Sequence, residues 1–113
     1  MYKVIYTTKC KKDVKLIKRQ GKDKIKFDTI VQSLANGVVL EERYKDHNLI
    51  GDWVGCRECH IQPDWLLIYR LDKIENILYL LRTGSHADLF KESISTSLTY
   101  KQLNEVLQQY IES

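Results

Sequence analysis

The sequence predicts an α+β fold: an N-terminal helix pair packed on a small twisted antiparallel sheet, with an extra helix at the C-terminus. Three observations point there. Phe27, Ile30, Val31 and Leu34 recur at i, i+3, i+4 and i+7, the spacing of one buried helix face, and Asn36-Gly37 follows as a stop signal. Upstream, Cys10, Val14 and Ile17 share one face of an earlier helix that stops at Gly21. Downstream, three runs of β-forming residues, 53–61, 65–71 and 77–83, are separated by turns near Pro63 and from Asp72 to Asn76, short enough to give an antiparallel meander.

Taken in order, Tyr2 to Tyr6 alternates and reads as a first strand. Thr7 and Thr8 can cap the first helix, whose other face presents Lys11, Lys15 and Lys18. Two helices joined at Gly21 imply an antiparallel hairpin on one side of the sheet. From Val38 to Gly51 there is little periodicity, and Lys45-Asp46-His47-Asn48 reads as a loop. The apolar run Trp65 to Tyr69 suits a central strand buried on both faces. Gly84 breaks the last strand, and Ser85-His86-Ala87-Asp88 has the form of a capping box. That places His86 in the first turn of a short helix, where the dipole favours bound anions. After a polar stretch, Thr99-x-x-Gln102 caps a last helix carrying Leu103, Val106, Leu107, Tyr110 and Ile111, which is expected to pack on its own domain. Residues 1–90 thus form the body of one domain and 91–113 a helical extension of it.

Composition narrows the class. A chain of 113 residues, 43% hydrophobic and 29% charged, fits one globular domain and excludes wholesale disorder. No apolar run approaches the ~18 residues of a membrane span, and the N-terminus lacks a secretion signal, so a cytosolic protein is expected, with no membrane partner. Three cysteines, an odd number, argue for reduced thiols. Residues 1–30 carry ten Lys/Arg against three Asp, whereas the remainder carries eight basic against twelve acidic residues. This split is the footprint of an anionic partner, with nucleic acid the commonest, or else a solvated lysine-rich face.

All three histidines, both tryptophans and the single proline lie between Tyr44 and Phe90. Within that stretch Cys56-Arg57-Glu58-Cys59-His60 matches the pattern of covalent haem attachment. The absence of an export signal, and of any methionine but Met1 as second axial ligand, speaks against it. Zinc held by these cysteines with His47, His60 or His86 is a second reading, which would make the protein an adaptor. A strand, however, sends residues 56 and 59 to opposite faces, as two small buried hydrophobes. No cofactor is called for. What remains is His47, His60, Asp64, Arg82 and His86, contributed by a loop, two strand ends and a helix start. Each also has a bland explanation, and their spacing does not show that they converge.

Three segments then acquire a joint meaning: Tyr44-Lys45-Asp46-His47-x-Leu49-x-Gly51-x-Trp53, Arg57-Glu58-x-His60-x-x-Pro63-Asp64-Trp65-x-Leu67-Ile68-Tyr69, and Arg82-Thr83-Gly84-Ser85-His86-x-x-Leu89-Phe90. In order and separation they resemble YafQ-type toxins, RelE/ParE-superfamily mRNA interferases of bacterial toxin–antitoxin modules. The resemblance implies a RelE-like fold and ribosome-dependent endoribonuclease cleavage of mRNA during translation, neutralised by a cognate antitoxin. It also implies that His47, His60, Asp64, Trp65, Arg82, His86 and Phe90 line the active site. Residues beyond Phe90 extend past the family pattern.

Metal-free RNA cleavage needs a base for the 2′-OH proton, an acid for the leaving 5′-oxygen, and cations to offset charge on the phosphorane. Histidine, with an ordinary pKa of about 6.5, can serve on either side. Its helix-start position beside an anion makes His86 the expected acid, with Asp64 or His60 the base, His47 a second proton carrier or phosphate contact, and Arg82 the charge stabiliser. Trp65 and Phe90 are expected to stack on or wall the substrate. Lys11, Lys15 and Lys18 are expected to grip ribosomal RNA or to meet an acidic antitoxin. A non-catalytic binding module of the same superfamily is the alternative.

Overall fold

Strand β1 (Lys3–Tyr6) leads into helix α1 (Thr8–Arg19), and the chain turns back through Gly21 into α2 (Lys24–Ala35). A one-turn 3-10 segment (Glu42–Tyr44), strand β2 (His47–Asn48) and a second 3-10 turn (Gly51–Trp53) cross to the far edge. Strands β3 (Arg57–Gln62), β4 (Trp65–Asp72) and β5 (Ile77–Gly84) then form the meander, and α3 (His86–Phe90) follows. This computed structural model describes residues 1–90, without the side chains of Asp52 and Phe90. The helix expected over 99–111 lies outside the described residues.

The caps are those the sequence implies. Thr7 Oγ1 accepts from the amide of Cys10 at 3.1 Å and donates to the carbonyl of Leu81 at 2.8 Å, so one hydroxyl starts α1 and pins it to β5. Asp23 Oδ1 accepts from Ile25 N at 2.9 Å and caps α2.

The sheet order is β1-β5-β4-β3-β2. β2 through β5 pair antiparallel, but β1 runs parallel to β5, with Val4 beside Leu78 and Tyr6 beside Leu80, so the sheet is mixed rather than antiparallel throughout. The reason is topological. The helix hairpin carries the chain across one face from β1 to the opposite edge, and the meander returns to β1 with its last strand pointing the same way.

β4 is central, as its apolar run implies: Trp65 to Tyr69 are each no more than 1% exposed. The two-residue period of a strand divides them between two cores. Trp65, Leu67 and Tyr69 pack with Cys59, Leu78 and Leu80 beneath the helices. Leu66 and Ile68 pack on the other side with Trp53, Cys56, Tyr79 and Leu81, joined by Leu89 of α3.

Two local expectations change. The strand expected from Trp53 begins only at Arg57, because the chain tightens into a 3-10 turn and Gly55 takes φ +94°, a conformation open to glycine and strained for bulky residues. The loop expected at 45–48 contains a short edge strand, His47 pairing with Glu58 and Asn48 with Arg57. Side chains reinforce it: Arg57 reaches Asn48 Oδ1 at 2.6 Å and Asp46 Oδ1 at 3.2 Å, while the buried Tyr69 hydroxyl donates to Asp46 at 2.5 Å.

Candidate active site

The site forms at the end of the sheet where β4 begins and β5 finishes. Asp64 occupies the β3–β4 turn, and Trp65 next to it is buried, which anchors the turn from below. His86 is the first residue of α3, whose start is capped by Ser85 Oγ accepting from Asp88 N at 3.0 Å. Asp64 Oδ1 receives both His86 Nδ1 at 2.7 Å and the His86 amide at 3.1 Å. The side-chain bond first, and the amide bond second, hold the Asp64 carboxyl below its ordinary range, and Lys22 adds a favourable charge. An ionised carboxylate only accepts, so Nδ1 carries the proton and Nε2 is left for chemistry. Both partners stand open to solvent, with side chains 54% and 68% exposed.

His60, near the end of β3, has its ring centroid 6.1 Å from that of His86. Its Nδ1 lies 3.3 Å from the Pro63 carbonyl, which can only accept, and its Nε2 lies 3.8 Å from Glu58 Oε1. His47 sits directly across β2–β3 from Glu58, with Nδ1 2.6 Å from the Lys45 carbonyl. The structure therefore brings His60, Asp64 and His86 together, while His47 lies on the neighbouring edge strand and its ring bonds to the Lys45 carbonyl instead.

Arg82 is engaged elsewhere as well. Its Nε and Nη2 donate to the two oxygens of Asp13 at 2.6 and 3.0 Å, and the Thr83 amide donates to the same carboxylate at 3.1 Å. Thr83 Oγ1 in turn accepts from Trp65 Nε1 at 3.0 Å and donates to the Leu66 carbonyl at 2.8 Å. A continuous set of bonds thus runs from α1 through β5 to the start of β4, beside the β3–β4 turn. This corrects the expectation that Trp65 stacks on the substrate: its ring is 1% exposed, in the core under the helices, and has no face open to a base. Phe90 closes α3, and its side chain lies outside the described atoms. Lys11, Lys15 and Lys18 are exposed along α1.

Three contributors escaped the sequence reading. Asp13 lies on the apolar stripe of α1, three residues after Cys10 and four before Ile17, and a carboxylate on a buried stripe is the signal of a buried partner. Glu58 shares a strand face with His60 by the two-residue period. Lys22 follows the helix stop and acts on Asp64 through space.

The cysteines behave as core residues. Cys59 packs beneath the helices and Cys56 on the opposite face, so the pair cannot share one ligand. Burial pushes the Cys56 thiol up to about 11 and the Cys10 thiol up to about 12, and raises Cys59 as well.

A helix hairpin over one face of a small mixed sheet, with histidines and an aspartate gathered at the sheet end, defines a RelE-like toxin fold. The particular family follows from comparison with known proteins. Residues 2–91 match the family described as bacterial toxin of type II toxin-antitoxin system, YafQ, and the chain belongs to it. Among relatives, the mRNA interferase toxin YafQ of Escherichia coli K12 is 43% identical over 86 residues, covering 75% of this chain and 91% of the relative. The toxin in the crystal structure of the Escherichia coli DinJ–YafQ complex superimposes with a TM-score of 0.73 at 40% identity, over 80% of this chain and 99% of that one. A metal-bound toxin from Helicobacter pylori gives a TM-score of 0.75 at 41% identity, over 80% and 100%. Among the described residues of this chain, no three His, Cys, Asp or Glu side chains gather as a metal-binding group.

Proposed function

We propose that this toxin is an endoribonuclease that cleaves messenger RNA on the translating ribosome, by acid–base catalysis through its own side chains. The observation that carries the reading is the His86–Asp64 pair, with His60 facing it across 6.1 Å. In the reaction the 2′-oxygen attacks phosphorus and the bond to the 5′-oxygen breaks, leaving a 2′,3′-cyclic phosphate and a 5′-hydroxyl. His86, oriented by Asp64 through Nδ1, donates the proton from Nε2 to the leaving oxygen. With Asp64 occupied in that way, His60 is the group to accept the 2′-OH proton, and Glu58 at 3.8 Å offsets the charge it then acquires. His47 contacts phosphate or relays protons from the edge strand. Arg82, held rigid by Asp13, and Lys22 supply positive charge toward the phosphorane. Trp65 supports the site from the core, and Phe90 walls it.

The site is exposed, and the message has to be presented to it. The ribosome supplies that presentation, and Lys11, Lys15 and Lys18 supply a salt-sensitive grip on ribosomal RNA. A cognate antitoxin protein neutralises the enzyme, as the DinJ–YafQ complex implies for its own toxin.

The test is to map messenger RNA ends in a reconstituted translation reaction, with this protein, its His86→Ala variant, and naked RNA. Ribosome-dependent cuts that weaken roughly 10²–10⁴-fold in rate in the variant are expected. Undiminished cutting by His86→Ala would remove His86 from the mechanism. Intact message in every lane would favour the binding-module reading.

A further inference from the structure

A groove of about 580 Å³ opens between α2, the 3-10 segment Glu42–Tyr44 and the end of β3, and of its lining residues the proposed reaction uses His60 alone. Its size is within the range of roughly 300–1,000 Å³ that accommodates a small organic ligand such as a nucleotide. Its apolar lining includes Ile25, Ile61 and Pro63, and Ile25 is left 73% exposed. Lys26, Arg43 and Lys45 also line it, and among the described lining residues none is acidic. Arg43 stacks on the Tyr44 ring with its guanidinium carbon 4.7 Å from the centroid, presenting a flat cationic surface. Arg43 also pairs with Glu41, but both side chains are about 70% exposed, where water and competing anions readily replace such a contact. His60, the proposed base, is also among the residues that line the groove.

We propose that this groove seats the nucleotides that flank the scissile bond, the base on the apolar lining and the Arg43–Tyr44 stack, the phosphates against Lys26 and Lys45. The inference rests on the ribonuclease reading and deepens it. A strand that passes His60 has to leave the catalytic centre over an adjoining surface, and this one offers what single-stranded RNA needs: flat faces for a base and cations for its backbone. An acidic peptide would meet the same cations, but continuity with His60 favours the molecule being cut.

Lys26→Glu and Arg43→Glu alter exposed side chains and leave the core untouched. With ribosome-bound message as substrate, each is expected to raise KM roughly tenfold, the scale of one lost charged contact, and to leave kcat within about twofold. Unchanged KM in both variants, with the parent still cutting, would overturn the groove and leave the ribonuclease intact. A parent that does not cut would remove both. Unchanged cleavage with weakened neutralisation by the antitoxin would assign the groove to the antitoxin and refute the RNA proposal. A second measurement does not depend on the variants folding: message carrying 4-thiouridine beside the cut site should crosslink to the peptide containing Arg43 and Tyr44 in the otherwise unaltered toxin. Crosslinks confined to other segments would also refute it.

Discussion

Two carboxylates in this molecule each accept from a basic side chain, one pair buried and the other exposed. Asp13 and Arg82 have side chains only 11% and 16% exposed, with two bonds between them and a third from the Thr83 amide. Asp64 and His86 are 68% and 54% exposed, joined through a single side-chain bond and one amide. Burial makes the first pair expensive to disrupt, because either charge left alone would be desolvated without compensation. Exposure leaves the second pair cheap to rearrange, as the proposed proton transfer requires. The buried and exposed pairs lie in adjacent layers, with Thr83 and Trp65 joining the one to the other.

The largest effects should separate the layers. Asp13→Ala strands Arg82 and the Thr83 amide, and is expected to cost about 3 kcal/mol of stability, a drop of more than about 10 °C in melting temperature. Asp64→Asn should keep the melting temperature within about 3 °C of the parent while slowing cleavage roughly 10²-fold, since the amide carries no charge and can turn its N–H toward Nδ1, which selects the other tautomer of His86. Calorimetry alongside single-turnover cleavage reads both. If Asp13→Ala melted with the parent, or Asp64→Asn unfolded, the two pairs would not differ as their burial implies.

That contrast also shows what a sequence makes visible. The α2 stripe of Phe27, Ile30, Val31 and Leu34 and the run Trp65 to Tyr69 state their burial locally, so the helix and the central strand could be read directly. His47, His60, Asp64 and His86 stood out by residue type and by their resemblance to a family, and the structure adds how they meet. The Asp13–Arg82 pair spans 69 positions, and no local spacing reports such a contact, although a carboxylate on the apolar face of α1 hinted at it. Trp65 is ambiguous in the sequence because an aromatic ring serves a core and a binding wall equally well, and only the tertiary fold, which buries it, distinguishes them. The parallel pairing of β1 with β5 is non-local in the same way.

An intermediate effect concerns pH. The Asp64 carboxyl titrates below its ordinary value of about 3.9 because His86 donates to it, so its folded-state pKa lies below the unfolded one. The sign follows: this contribution to stability is complete at pH values above the unfolded pKa and is lost as pH falls through the lower, folded one. NMR titration of the Asp64 side chain should give a depressed midpoint that returns toward the ordinary value in His86→Ala. A midpoint indifferent to that substitution would show that the exposed pair does not form in solution.

The smallest effect belongs to a third pair, Lys24 and Asp28, which is exposed as the Asp64–His86 pair is but has no place in the proposed reaction. They lie 3.1 Å apart at i and i+4 on α2, with side chains 37% and 52% exposed. Their order is the less favourable one on a helix, and Lys24 stands at the first position of α2, where the helix dipole opposes a positive charge. The attraction to Asp28 and the repulsion by the dipole therefore nearly cancel. Lys24→Ala is expected to change stability by less than about 0.5 kcal/mol in either direction and to leave cleavage at the parent rate. A denaturant titration that found a loss approaching that of Asp13→Ala would mean that ion-pair geometry, rather than burial, sets what a charge pair contributes here, and the division between the buried and exposed pairs would fail with it.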